Sequence, residues 1–261
     1  MNDSFLCIGL DPVAAKLPSQ VKGSVLDFTK AIIDATADLV CCYKPNFAFY
    51  GSLGEVGWSI LRATMEHIPP SVPIIIDAKV GDIGSTAERY AHMFFSELGA
   101  DALTVNPYMG HDAVEPFLLH EDRGILLLCL TSNKGAEDLE TLVVDDGRPL
   151  FEWVAEKATA WNTRGNIGLV VGATRAESIR NLRALAADLP FLIPGVGAQG
   201  GDLESAVLDG QLASGGGVII NASRSVIYAS DGVDFQEAAR NAALALHSDI
   251  KAARRQLIAA E

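Results

Sequence analysis

Basic charge is in short supply: 20 Lys and Arg stand against 33 Asp and Glu in 261 residues, a formal charge of -13. Nucleic acid or an anionic membrane surface would meet net repulsion over most faces, so neither is an expected partner. An anionic ligand requires a locally positive pocket. Cysteine is also sparse, and the four present, Cys7, Cys41, Cys42 and Cys129, make no C-x-x-C spacing. Each sits in an apolar, strand-like run, the pattern of a buried free thiol in a reducing compartment. His67, His92, His111, His120 and His247 form neither H-x-H nor H-E-x-x-H, so no protein-bound metal is expected. Long hydrophobic runs are missing as well. The longest, Ile125 to Leu130, falls far short of the ~20 residues of a membrane span. The start, Met1-Asn2-Asp3-Ser4-Phe5, has no basic region leading into an apolar stretch, so no secretory signal is expected and the expected location is cytoplasmic.

What is present is ample material for a core, 49% hydrophobic residues with only 20% charged, and no Pro/Gly/Ser-rich linker divides it. Short apolar or β-branched runs recur with helix-like segments between them: 5–10, 39–43, 73–76, 102–105, 124–130, 167–171, 191–193 and 217–220. Eight repeats of strand then helix in one domain, 1–261, predict a single-domain (β/α)8 TIM barrel, which usually needs ~250 residues. A doubly wound open sheet is the alternative. After the third run, Ala87, Tyr90, Ala91, Phe94 and Leu98 recur at helical spacing and predict the face that packs on the barrel. Ser85 or Thr86 is placed to cap that helix. The stretch between the first two strands and the Gly-rich one after the seventh are candidate loops over a site.

In such barrels functional groups lie where strands end, and here those ends are polar: Asp11, Lys44, Asp77 with Lys79, Thr131 with Ser132, Pro194-Gly195, then Asn221 and Arg224. The strongest segment is Ile74-Ile75-Ile76-Asp77-Ala78-Lys79-Val80-Gly81-Asp82-Ile83-Gly84-Ser85-Thr86. Strand alternation predicts that Asp77 and Lys79 share a face. Alone, D-x-K reads as an ion pair ending a strand. Lys44 on the neighbouring strand and Asp82 downstream extend the charge alternation beyond that.

Asp77-x-Lys79-x-x-Asp82-Ile83 preceded by Lys44 resembles the signature of the orotidine 5'-phosphate decarboxylase family. The resemblance continues through Tyr43-Lys44-Pro45-Asn46, Thr131-Ser132-Asn133-Lys134-Gly135 and Pro194-Gly195-Val196-Gly197-Ala198-Gln199-Gly200-Gly201-Asp202, and it spans essentially the whole chain. These motifs are similar to the longer bacterial branch of the family. That branch carries an arginine where this chain has Val80.

The resemblance implies a small-molecule nucleotide substrate, no cofactor, and a reaction yielding UMP and CO2. It implies Lys79 as proton donor within an array of Lys44, Asp77, Lys79 and Asp82, with Asp77 facing the departing carboxylate. It also implies a homodimer with shared sites, in which Asp82 and Thr86 come from the other subunit. Asp11 is implied at the ribose, Ser132 at the pyrimidine edge, and Gln199 and Arg224 at the phosphate, with Pro194 in the same substrate-binding set. Read from the residues alone, a strand-end turn for Asp11, a loop hydroxyl for Ser132 and a solvated surface arginine for Arg224 stay open as alternatives, Gln199 reads as an exposed loop residue, and a planar cation beside glycine-rich backbone at the end of the eighth strand suits Arg224 to phosphate.

Two other readings stay open. One is a magnesium-dependent sugar-phosphate decarboxylase or aldolase-like barrel that shares D-x-K-x-x-D, although such relatives tend to carry a metal-binding carboxylate where this chain has Lys44. The other is a non-catalytic phosphate-ligand sensor, for which so dense a charge cluster is unnecessary.

Overall fold

The computed structural model describes all residues except 1, 2, 22, 174, 175, 196–201 and 259–261, together with the side chains of all described residues but 176 and 256–258. Eight strands run in chain order, β1 (Leu6–Leu10), β2 (Cys42–Pro45), β3 (Ile75–Val80), β4 (Ala102–Val105), β5 (Gly124–Leu130), β6 (Ile167–Val171), β7 (Phe191–Pro194) and β8 (Val218–Ala222), with helices between them. Their hydrogen-bonded order is β2-β1-β8-β7-β6-β5-β4-β3. The two ends of that order meet through parallel bridges Tyr43↔Ile74 and Asn46↔Asp77. This circular order of parallel strands is the topology of a (β/α)8 barrel.

β1 and β6 are buried along their whole length. Strands covered on both faces read as continuous apolar runs rather than as alternating ones, which is why they stand out in the sequence. β4, β5 and β6 coincide with the expected runs. β2 and β3 do not: the apolar runs predict ends at Tyr43 and Ile76, yet the strands continue to Pro45 and Val80. The added residues include Lys44 and Asp77, which pair with each other and so can stay in a buried strand.

The chain forms two compact units, one of residues up to Ala78 together with those from Asn221 onward, the other Lys79–Ile220. In the first, β1 pairs with β2 in the register Cys7↔Cys42 and Gly9↔Lys44. Helix Val25–Thr36 begins at Ser24, whose hydroxyl accepts from the Asp27 N–H at 3.1 Å and satisfies one otherwise orphaned donor. It packs on the long helix Phe235–Ile258 through Phe28, which is 1% exposed and stacks on Tyr228 and Phe235 at 5.6 and 5.8 Å. Burying one such ring contributes roughly 1.5–3 kcal/mol.

In the second unit β4, β5, β6 and β7 pair in succession, and the β5–β6 register shifts between Leu128 and Leu130. The helix after β3 starts at Gly84 with Ile83 as its N-cap and no side-chain cap. Ser85 and Thr86 therefore lie inside the first turn and cap nothing, contrary to the sequence expectation. Ala87, Ala91 and Phe94 are fully buried as expected, but the helix continues as a π-helical turn over His92–Glu97. The wider turn carries Phe95 into the core at 3% exposure while Leu98 stays half-buried. A period of 3.6 cannot anticipate that insertion. Cys7, Cys42 and Cys129 are buried free thiols as expected; Cys41 is half-buried. Among the described residues no helix is long and apolar enough to cross a membrane.

Candidate active site

Glycine at position 9 opens the first cluster. A Cβ there would lie 2.8 Å from the Ser223 Cβ, so only glycine lets the end of β8 approach β1 this closely. The Ser223 hydroxyl donates to an Asp11 carboxylate oxygen at 2.6 Å. Lys44, the register partner of Gly9, donates from Nζ to an Asp77 oxygen at 2.7 Å. Both side chains are almost wholly buried, 5% and 9% exposed.

Burial works to lower the pKa of Lys44, but the neighbouring negative charge, chiefly the Asp77 and Asp11 carboxylates, outweighs it, and the net shift is upward from 10.5. Lys44 is thus held as an ammonium ion deep in the unit. The structure brings Asp11, Lys44 and Asp77 into one electrostatic group. Ser223 and Tyr228 were not singled out in the sequence; the Tyr228 hydroxyl accepts from the Val13 N–H at 2.6 Å and so anchors the segment after Asp11. Arg224 opens a short helix, Arg224–Ile227, and is solvent-exposed.

In the second unit Lys79 is exposed and has φ +49°, the only non-glycine residue with positive φ among those described. Such a conformation costs a lysine about 1–3 kcal/mol. Strand alternation therefore does not govern the direction of its side chain, and the period-two argument for a face shared with Asp77 does not carry over. The Lys79 N–H donates to Thr104 Oγ1 at 2.9 Å. One residue on, the Val80 carbonyl accepts from the Asn106 N–H at 2.7 Å. A Cβ at Gly81 would meet the Asn106 carbonyl oxygen at 2.9 Å. Lys79 is thus followed at once by backbone clasped to the end of β4, and nothing in the structure explains the Val80 side chain where the bacterial branch has arginine. Asp82 is half-buried, and its carboxylate accepts from the Ile83 N–H at 2.8 Å. Thr86 is exposed on the first turn of the next helix.

Ser132 follows β5 and is half-buried. A Cβ at Gly172 would come within 2.7 Å of the Ser132 nitrogen, so that glycine fixes how closely the two chains run. The preceding Thr131 is held by Glu140, which accepts from the Thr131 N–H at 2.6 Å and from its hydroxyl at 2.7 Å. Glu140 lies in a loop with no sequence signal to mark it. Pro194 ends β7, and its carbonyl accepts from the Ala173 N–H at 3.1 Å. Gln199 lies outside the described residues.

Sequence and structure comparisons show what the chain is similar to. A protein of Ralstonia pickettii (strain 12J) named orotidine 5'-phosphate decarboxylase is 50% identical over 254 residues, covering 95% of this chain and 93% of the relative. The solved OMP decarboxylase of Leishmania donovani superposes with a TM-score of 0.85 at 41% identity, covering 96% of this chain and 94% of the other. The UMP synthase of the same organism superposes with a TM-score of 0.87 at 42% identity; 96% of this chain is covered, but only 54% of the synthase. With the family model described as Orotidine 5'-phosphate decarboxylase / HUMPS family matching residues 4–240, the chain belongs to that family.

Proposed function

We propose that this chain converts orotidine 5'-phosphate to UMP and CO2 in pyrimidine biosynthesis, without metal or organic cofactor. As a member of this family it is an enzyme of the carboxy-lyase class. The observation that carries the reading is the buried Lys44–Asp77 pair at 2.7 Å, two residues ahead of Lys79. Recognition of a phosphate alone has no use for an ammonium and a carboxylate sealed together at the ends of two strands.

Breaking the bond from carbon six to the carboxylate leaves an electron pair on carbon six with no adjacent carbonyl to accept it. Lys79 is the group that stabilises this charge and then transfers an ammonium proton to the carbon, and solvent reprotonates the amine. Preorganised charge supplies more than the proton transfer, which is worth ~10²–10⁴-fold by itself. Asp77 faces the departing carboxylate. Lys44 and Asp82 complete the alternation of charge, each sign favouring the ionised form of its neighbour.

Asp11 holds the ribose, with Ser223 fixing its carboxylate. Ser132 reads the pyrimidine edge, Pro194 lines the substrate, and Gln199 and Arg224 grip the phosphate; a guanidinium offers several aligned donors to that group. One catalytic domain spans 1–261. The active form is a cytoplasmic homodimer in which Asp82 and Thr86 serve the site of the other subunit.

The decisive experiment follows the absorbance change as orotidine 5'-phosphate becomes UMP. The native chain turns over in the presence of EDTA, and Lys79→Ala loses at least ~10²-fold in kcat. Binding without turnover would establish the sensor instead, and loss of turnover on metal removal would establish the magnesium-dependent alternative. Equal activity in Lys79→Ala would overturn the proton donor.

A further inference from the structure

We propose that Thr104 is a positioning residue for Lys79, its hydroxyl holding the lysine backbone in the left-handed conformation from which the proton is delivered. The inference rests on the role of Lys79 given above. Lys79 is the described non-glycine residue with φ in the left-handed region, at +49°, where a lysine does not settle without help from its surroundings. The help is specific: the Lys79 N–H points at Thr104 Oγ1, 2.9 Å away. Thr104 is 1% exposed, the single polar residue of a strand otherwise made of Ala, Leu and Val. A buried hydroxyl in such a strand requires partners, and here the amide of the proposed proton donor is one of them.

The following residues leave that amide little freedom. Asn106 donates to the Val80 carbonyl at 2.7 Å, and the missing Cβ of Gly81 admits the Asn106 carbonyl oxygen. The end of β4 therefore grips the chain at Lys79, through the Thr104 side chain, and again at Val80, through the Asn106 backbone. Valine is nearly the same shape as threonine but offers no acceptor. In Thr104→Val the Lys79 amide loses its partner, the backbone relaxes toward the extended region, and the ammonium leaves its place; small misplacements of this kind cost on the order of 10²-fold.

The test has two arms. In steady-state kinetics Thr104→Val lowers kcat roughly ten- to a hundredfold with KM within about twofold of the native value, and Thr104→Ser, which keeps the acceptor, recovers most of the loss. A Thr104→Val enzyme with native kcat, or a Thr104→Ser enzyme as impaired as Thr104→Val, overturns the proposal. In amide hydrogen exchange, the Lys79 N–H is protected in the native chain and in Thr104→Ser and exchanges faster in Thr104→Val. An unprotected Lys79 amide in the native chain overturns the proposal without any variant, whether or not Thr104→Val folds. Should the native chain fail to decarboxylate orotidine 5'-phosphate, the functional reading falls by itself, and the exchange arm still decides whether Thr104 holds Lys79.

Discussion

The Lys44 ammonium donates to an Asp77 carboxylate oxygen at 2.7 Å, and the side chains are only 5% and 9% exposed. Desolvation at that depth is costly for either ion alone, and each is tolerable because the other is there. Removing one partner strips the other of its hydrogen-bonded counter-charge. Lys44→Met and Asp77→Leu should each lower unfolding free energy by about 3–5 kcal/mol, whereas the double variant should recover most of that loss. Urea denaturation of the three variants measures it, and single variants of native stability would show that the pair is solvated.

The same pair dictates a response to alkali. Burial opposes the charge on Lys44, but Asp77 and Asp11 raise its folded pKa above 10.5. A base whose folded value is raised contributes stability that is fully present below its unfolded value, 10.5, and lost as pH rises through the folded value. Stability should therefore fall as pH rises above 10.5, and fall less steeply in Lys44→Met. Parallel denaturant titrations across that range check the slope; identical slopes would remove Lys44 from the account.

How far these relationships could be read from sequence depends on the kind of signal each leaves. β4, β5 and β6 were fully visible because strands buried on both faces are uninterrupted apolar runs. β2 and β3 were cut short at the first polar residue, since the runs do not reveal that Lys44 and Asp77 neutralise each other inside the sheet. Lys44, Asp77, Lys79 and Asp82 were legible as a motif. The left-handed backbone of Lys79 was not, because nothing in a lysine advertises positive φ; the cause lies in Thr104, twenty-five residues away along the chain. Ser223, Tyr228 and Glu140 are likewise silent, each acting through side-chain hydrogen bonds to residues well separated along the chain. The π-helical turn at His92–Glu97 is silent for the opposite reason: a 3.6-residue period carries no mark of the wider turn.

Gly172 separates packing from chemistry. A Cβ at this position would stand 2.7 Å from the Ser132 nitrogen and 2.9 Å from its Cα, both backbone atoms with little room to yield. Gly172→Ala should cost roughly 1–3 kcal/mol of stability, in the range of overpacking. It should also displace Ser132, so that KM rises more than kcat falls. Steady-state kinetics beside thermal unfolding measures both, and a native KM would take Ser132 away from the pyrimidine edge.

Asp82 and Lys79 offer a test of the proposed subunit exchange of side chains. If each site takes Lys79 from one chain and Asp82 from the other, Lys79→Ala and Asp82→Ala homodimers are both inactive, yet a heterodimer of the two contains one site in which both residues are native. Its second site lacks both. Random re-pairing of equal amounts makes half of the dimers hybrid, and half of the sites in each hybrid are intact, so about a quarter of the native activity should return. The activity should appear at the rate of subunit exchange, which mass spectrometry of the mixed dimers follows independently. Heterodimers that form without any activity would place Asp82 beside the Lys79 of its own chain and reject the shared site.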